Sequence, residues 1–198
     1  MIKQIYFDFG KVLVDYEKSL QTVSRDFSIE FDSILNLYKE FEYELGLGKI
    51  TTADFWQQCI EKFNLKDAQN YDLPKSWVSD YDIIQPINDL IYSLENKIDI
   101  GIISNIHGGI WEAAVKYKMV PNIEYKKVYL SYQLGLIKPD IALFKLVQTE
   151  SGVNPEEILF IDDKSENLIA PTNLGWKTIL FNPNQAQQGV DKIKKMIL

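Results

Sequence analysis

The chain has 198 residues, is 46% hydrophobic, and carries 28 acidic against 21 basic side chains, a net charge of −7. That length suits one compact core with a modest insertion, and the acidic balance excludes a general nucleic-acid or anionic-membrane surface, which would be basic. No apolar run approaches the roughly 18 residues of a membrane span, the first residues lack a signal-peptide pattern, and the single cysteine, Cys59, permits no internal disulfide, so a cytoplasmic protein is expected.

Residues 2–8 read as a strand buried on both faces and ending in Asp8. Residues 17–80 change to a helical period, with apolar positions at Ile34, Leu35, Leu37, Tyr38 and Phe41, then at Phe55, Trp56, Cys59, Ile60 and Phe63. Gly46 and Gly48 supply the turn between these helices, and Thr51-x-x-Asp54 marks the second start in the manner of a capping box. The GLGKIT run is a plain interhelical loop, because a phosphate loop would need glycine where Tyr43 stands and Ser or Thr where Ile50 stands. Cys59 lies in an apolar stripe and reads as core filler. Trp56, Trp77 and Trp111 read as packing residues.

From residue 83 strands and helices alternate. Helix 86–96, opened by Pro86, precedes strand 98–104; helix 109–118 leads to strand 126–130, and helix 140–151 to strand 157–162. Helix 166–174, strand 177–181 and a terminal helix at 186–197 complete the series. Such alternation predicts an α/β fold, a three-layer sandwich around a parallel sheet. Asp8 and Ser104 are 96 residues apart, whereas a simple crossover with its helix takes about 30. The surplus is the helical segment, a small cap over the sheet edge. Residues 1–16 and 82–198 are expected to form the core and 17–81 the cap.

Three of the apolar runs, IYFDFGKVLVD (5–15), IGIISN (100–105) and ILFIDD (158–163), carry polar residues where a buried strand meets the carboxyl edge of its sheet. With GLIKPD (135–140) they deliver Asp8, Ser104, Asn105, Lys138, Asp162 and Asp163. Three acids, a hydroxyl and a lysine on one edge suit a divalent metal and a phosphoryl group. A phosphate monoester repels nucleophiles, so a carboxylate such as Asp8 attacks it only when positive charge neutralises its oxygens. Mg²⁺ takes a few carboxylates plus waters and phosphate oxygens, and Asp8, Asp162 and Asp163 offer that hard shell. Ser104 and Asn105 open onto the Gly108–Gly109 turn, where a hydroxyl and free N–H groups could grip phosphoryl oxygens. Lys138 precedes Pro139, which favours an extended approach, and its ammonium could neutralise the phosphoryl group and restrain Asp8. Asn167 could orient the metal shell. The lone His107 is the natural candidate for a proton shuttle near neutral pH, against the plainer reading of a solvated loop histidine.

These four segments, in this order, resemble the motifs of the haloacid-dehalogenase (HAD) superfamily over roughly residues 2–182. The Asp-x-Gly start, the stretch from Tyr129 to Pro139 and the Ile161-Asp162-Asp163…Asn167 segment are most similar to the bacterial α-glucose-1-phosphate phosphatase type. The resemblance implies a Rossmann-like core with a helical cap after the first strand. It also implies an Asp8 nucleophile, phosphoryl binding by Ser104, Asn105 and Lys138, and Mg²⁺ as cofactor on Asp8, Asp162, Asp163 and the Gly10 carbonyl. A small phosphorylated metabolite would be the partner, bound by a monomer or homodimer.

One position departs from the pattern. Phosphatases of this superfamily usually carry a second Asp two residues after the nucleophile, which protonates the leaving group and then activates water. Here that position is Gly10. Asp15 lies too far along the chain to replace it. Without that acid the rate is expected to fall steeply as leaving-group pKa rises, since such catalysis is typically worth about 10²–10⁴-fold. Two alternatives to a phosphatase therefore stay open. One is a metal-independent haloacid dehalogenase, although such relatives typically lack the acidic pair. The other is a phosphate- or metal-binding protein that has lost turnover.

Overall fold

The structure, a computed structural model, describes residues 1–197. Strand β1 (Gln4–Phe7) runs through the middle of the protein, every residue buried. A two-residue strand β2 (Val14–Asp15) follows, then four helices: α1 (Gln21–Phe27), α2 (Phe31–Gly46), α3 (Thr52–Phe63) and α4 (Leu73–Ser79). The chain returns through β3 (Asp82–Ile83) into α5 (Gln85–Leu94), β4 (Asp99–Ser104), α6 (Ile110–Lys116) and β5 (Lys127–Leu130). A short α7 (Ser131–Leu134), α8 (Ile141–Ser151), β6 (Ile158–Asp162), α9 (Ser165–Asn173), β7 (Lys177–Leu180) and α10 (Ala186–Ile197) complete it.

The five long strands form one parallel sheet in the order β5-β4-β1-β6-β7. Alternation along β1 builds the layers. Ile5 and Phe7 face a core shared with Ile87 and Ile91 of α5, Ala113 and Ala114 of α6 and Val190 and Ile193 of α10. Tyr6 faces the opposite core with Leu143, Phe144 and Val147 of α8 and Ala170 of α9. Full burial of each such large apolar side chain contributes about 1.5–3 kcal/mol, enough to hold the register against a one-residue slip. That register fixes the site. Phe7 pairs with Ile102 and with Ile161, so Asp8 stands level with Asp162 and one step short of Ser104. The strand order reverses direction at β1, which makes this the crevice where α/β sheets bind ligands.

The β2–β3 ribbon was not anticipated. Two residues on each side were too short to read as strands, yet Val14 pairs with Ile83 and Asp15 with Asp82. The Ile84 N–H donates to the Leu13 carbonyl at 2.9 Å and the Asn88 carboxamide donates to the same carbonyl at 3.1 Å. The entry and exit of the four-helix insertion are thereby tied together. The capping box at Thr51 is present with both of its bonds. Gly48 takes φ 68°, and a Cβ there would meet the Tyr132 carbonyl, so the turn needs glycine twice over. Cys59 is buried on α3, and burial pushes its thiol up to about 12, as inert filler should be. No helix among the described residues is long and apolar enough to cross a membrane.

Candidate active site

The carboxyl edge of the sheet gathers the predicted residues around one ammonium. Lys138 Nζ lies 2.9 Å from Asp8 Oδ1 and 2.6 Å from Asp162 Oδ2, and the three side chains are almost fully buried. Burial works against the charged lysine, but Asp8 and Asp162 outweigh it and hold its pKa above the ordinary value. Burial pushes the Asp8 carboxyl up to about 7; Lys138 pulls against that rise, while Asp162 and Asp163 add to it. The Phe9 N–H donates to Asp8 Oδ1 at 2.7 Å and fixes the rotamer. Asp163 is half-buried, and burial and then Asp162 raise its pKa.

Asp8, Asp162 and Asp163 each offer an oxygen within 4.8 Å of the others. They are not equivalent. Asp162 Oδ1 accepts from the Lys164 N–H at 2.9 Å, the Asn167 carboxamide donates to both of its oxygens at 3.0 and 3.1 Å, and Lys138 takes Oδ2. This carboxylate is fully buried and engaged by its neighbours while still belonging to the acidic group. Asn167 orients Asp162. Asp8, Gly10 and Asp163 border the open cavity, of about 320 Å³.

Ser104 ends β4, paired with Leu130 and 2% exposed. The Asn105 side chain grips Lys138, a contact the sequence did not show: Oδ1 accepts the Lys138 N–H at 2.8 Å and Nδ2 donates to the Lys138 carbonyl at 2.9 Å. The residue lines the cavity, and the second Nδ2–H is not used in that grip.

His107 is corrected. It stands beside the cavity, but Nε2 is bonded to the Tyr38 hydroxyl at 2.9 Å and Nδ1 is buried without a partner. The ring packs between Tyr38 and Trp77, and burial lowers its pKa to about 4. An imidazole held neutral, with no nitrogen open to the cavity, is not a proton shuttle. A helical insertion supplying Tyr38 and Trp77 is what buries it, and that packing could not be read from a loop position.

Tyr16 was missed. It lines the cavity beside Asp8, and burial, then Asp8 and Asp163, raise its phenol above the ordinary value. A Cβ added at Gly10 would lie 2.5 Å from Tyr16 Cε1. The sequence offered one hint, an aromatic residue six positions after a glycine that replaces an acid.

A parallel sheet with an aspartate at the end of its central strand, a late acidic pair and a buried lysine defines a class. Residues 5–181 match the model of the haloacid dehalogenase-like hydrolases, and the chain belongs to that family. It is 29% identical over 205 aligned residues to D-ribitol-5-phosphate phosphatase of Bacteroides thetaiotaomicron, covering 96% of this chain and 95% of that protein. An Asp-to-Ala variant of a HAD family enzyme from the same organism, crystallised with magnesium and inorganic phosphate, matches with TM-score 0.76 and 26% identity over 93% of this chain and 96% of that one. (S)-2-haloacid dehalogenase 4A of Burkholderia cepacia is 20% identical over 195 residues, 91% of this chain and 83% of that protein.

Proposed function

We propose that the chain is a Mg²⁺-dependent phosphatase of a small phosphomonoester, a sugar or sugar-alcohol phosphate, working through phosphorylated Asp8. The observation that carries this reading is the charge imbalance at the sheet edge. Two carboxylates share one buried ammonium and a third stands beside them, an excess of negative charge that a divalent cation would neutralise and that burial makes costly without one. The donor set is hard oxygen throughout, which fits Mg²⁺. Asp8, Asp163 and the Gly10 carbonyl would hold it, with Asp162 behind them fixing Lys138. Bound there, Mg²⁺ supplies charge neutralisation for the phosphoryl oxygens.

The chain's own groups do the rest. An Asp8 oxygen attacks phosphorus, the bond to the ester oxygen breaks, and water then releases phosphate and regenerates the carboxylate. Lys138, pinned by Asp162 and by the Asn105 grip, offers its ammonium to the phosphoryl oxygens. Ser104 and the backbone N–H groups after β4 complete the phosphoryl contacts. Residues 17–81 serve as a lid over a core of residues 1–16 and 82–198, with Tyr38, Glu42 and Trp77 from α2 and α4 closing the cavity. A cavity of about 320 Å³ admits a small phosphate and excludes a folded phosphoprotein. The relative's action on D-ribitol 5-phosphate favours that chemical class; the α-glucose 1-phosphate suggested by the motifs is another member of it.

A screen of sugar and sugar-alcohol phosphates with Mg²⁺ tests the reading. Release of phosphate that stops on chelation and returns with Mg²⁺ is expected. Chelator-insensitive release of halide from 2-haloacids, with no phosphate release, would establish the dehalogenase instead.

A further inference from the structure

We propose that the phenol of Tyr16 donates the proton to the departing oxygen, taking over in space what a side chain at position 10 cannot do. The inference rests on the phosphatase reading above. Its basis is where the ring lies. A Cβ added at Gly10 would be 2.5 Å from Cε1, 3.0 Å from Cδ1 and 3.6 Å from Cζ of Tyr16, and Cζ carries the hydroxyl. The ring edge therefore takes the space that a side chain at position 10 would enter, with the hydroxyl-bearing carbon beside it. It does so on the wall of the cavity that also exposes Asp8, Lys138 and Asp163.

Three nearby groups that could otherwise be considered are already engaged. His107 has one nitrogen on Tyr38 and the other buried. The Tyr38 hydroxyl is held by that same imidazole. Asp15 accepts from Lys11 Nζ at 2.7 Å and from the Glu17 N–H at 2.9 Å, as a carboxylate does. Lys11 also reaches Glu17 at 2.6 Å and stands 5.7 Å from the Tyr16 ring centre, so ion pairs brace the loop that carries the tyrosine.

The step balances. As Asp8 bonds to phosphorus and the phosphorus–ester bond breaks, the ester oxygen keeps the electron pair and takes the phenolic proton. The products are a free alcohol, phosphorylated Asp8 and a phenolate. Tyr16 is 38% exposed, so the phenolate regains its proton from solvent. A phenol is a weak acid, and it transfers a proton favourably only to an oxygen more basic than itself, such as an alkoxide. Tyr16 thus points to phosphates of aliphatic alcohols as substrates, the esters that Gly10 alone would have made poor ones.

The test is the dependence of kcat/KM on leaving-group pKa, from nitrophenyl phosphates through sugar phosphates to primary alkyl phosphates, in the presence of Mg²⁺. Tyr16→Phe keeps the ring and its packing and removes only the hydroxyl. It is expected to lose about 10²-fold or more on the alkyl ester, under a tenth of that loss on the nitrophenyl ester, and so to show a steeper slope than wild type. An equal loss across the series, or no loss, would overturn the inference. So would a His107→Gln variant that steepens the slope while Tyr16→Phe does not. Wild type that hydrolyses no member of the series, or Asp8→Asn that hydrolyses them normally, would instead overturn the phosphatase reading on which the inference stands.

Discussion

Asn105 holds Lys138 by both sides of its peptide, accepting the N–H at 2.8 Å and donating to the carbonyl at 2.9 Å. A loop lysine that must reach two carboxylates has many rotamers and a mobile backbone, and the carboxamide removes the second freedom. The lysine then loses little entropy when it meets a phosphoryl group.

Asn105→Ala should therefore weaken phosphoryl binding without touching the nucleophile. Two half-buried backbone groups lose their partner, at about 1–3 kcal/mol, and a misplaced ammonium should cost up to about 10²-fold in kcat/KM. Asn105→Asp keeps the acceptor for the Lys138 N–H and should fall between. Steady-state kinetics and inhibition by inorganic phosphate measure both effects; wild-type values in Asn105→Ala would remove the clamp from the account.

Gly10 and Tyr16 should behave as a coupled pair. Gly10→Ala drives a methyl group against the ring and is expected to destabilise by about 1–3 kcal/mol. The same change in a Tyr16→Ala background should cost much less, while Tyr16→Phe, which keeps the ring, should give no relief. Urea unfolding of the double-mutant cycle reads this, and strict additivity would contradict the packing.

The buried His107 makes a pH prediction. Its folded pKa is lowered from 6.5 to about 4, so below pH 6.5 the unfolded chain binds a proton that the folded one refuses. The stability linked to this group is fully present above about pH 6.5 and is lost as the pH falls toward 4. At 1.36 kcal/mol per unit, the loss is of the order of 3 kcal/mol. Between pH 7 and 4, His107→Gln should lose about that much less stability than wild type. Parallel curves for the two proteins would show that the imidazole is not sealed from water.

The strands were legible because a parallel strand buried on both faces is nearly all apolar and breaks off at its functional residue, as at Asp8 and Asp162. The long gap from Asp8 to Ser104 located the insertion. What could not be read depends on contacts between segments distant in sequence or around a turn. The β2–β3 ribbon is too short to show alternation. Asp162 carries the same letter whatever it meets, and its bonds to Lys138, the Lys164 N–H and Asn167 show only in the fold. The role of Tyr16 depends on the fold of the loop that returns it to Gly10. The missing acid was visible as a letter, while the group that fills its space needed coordinates.

The central claim is that Asp8 becomes phosphorylated, and acid quenching during turnover tests it directly. With Mg²⁺ and a sugar phosphate, mass analysis of the quenched wild-type protein should find one added phosphoryl group on the peptide that contains Asp8. It should be absent after chelation and absent from a correctly folded Asp8→Asn variant that no longer releases phosphate. An Asp8→Asn protein that releases phosphate at the wild-type rate, with no adduct on either protein, would contradict the account.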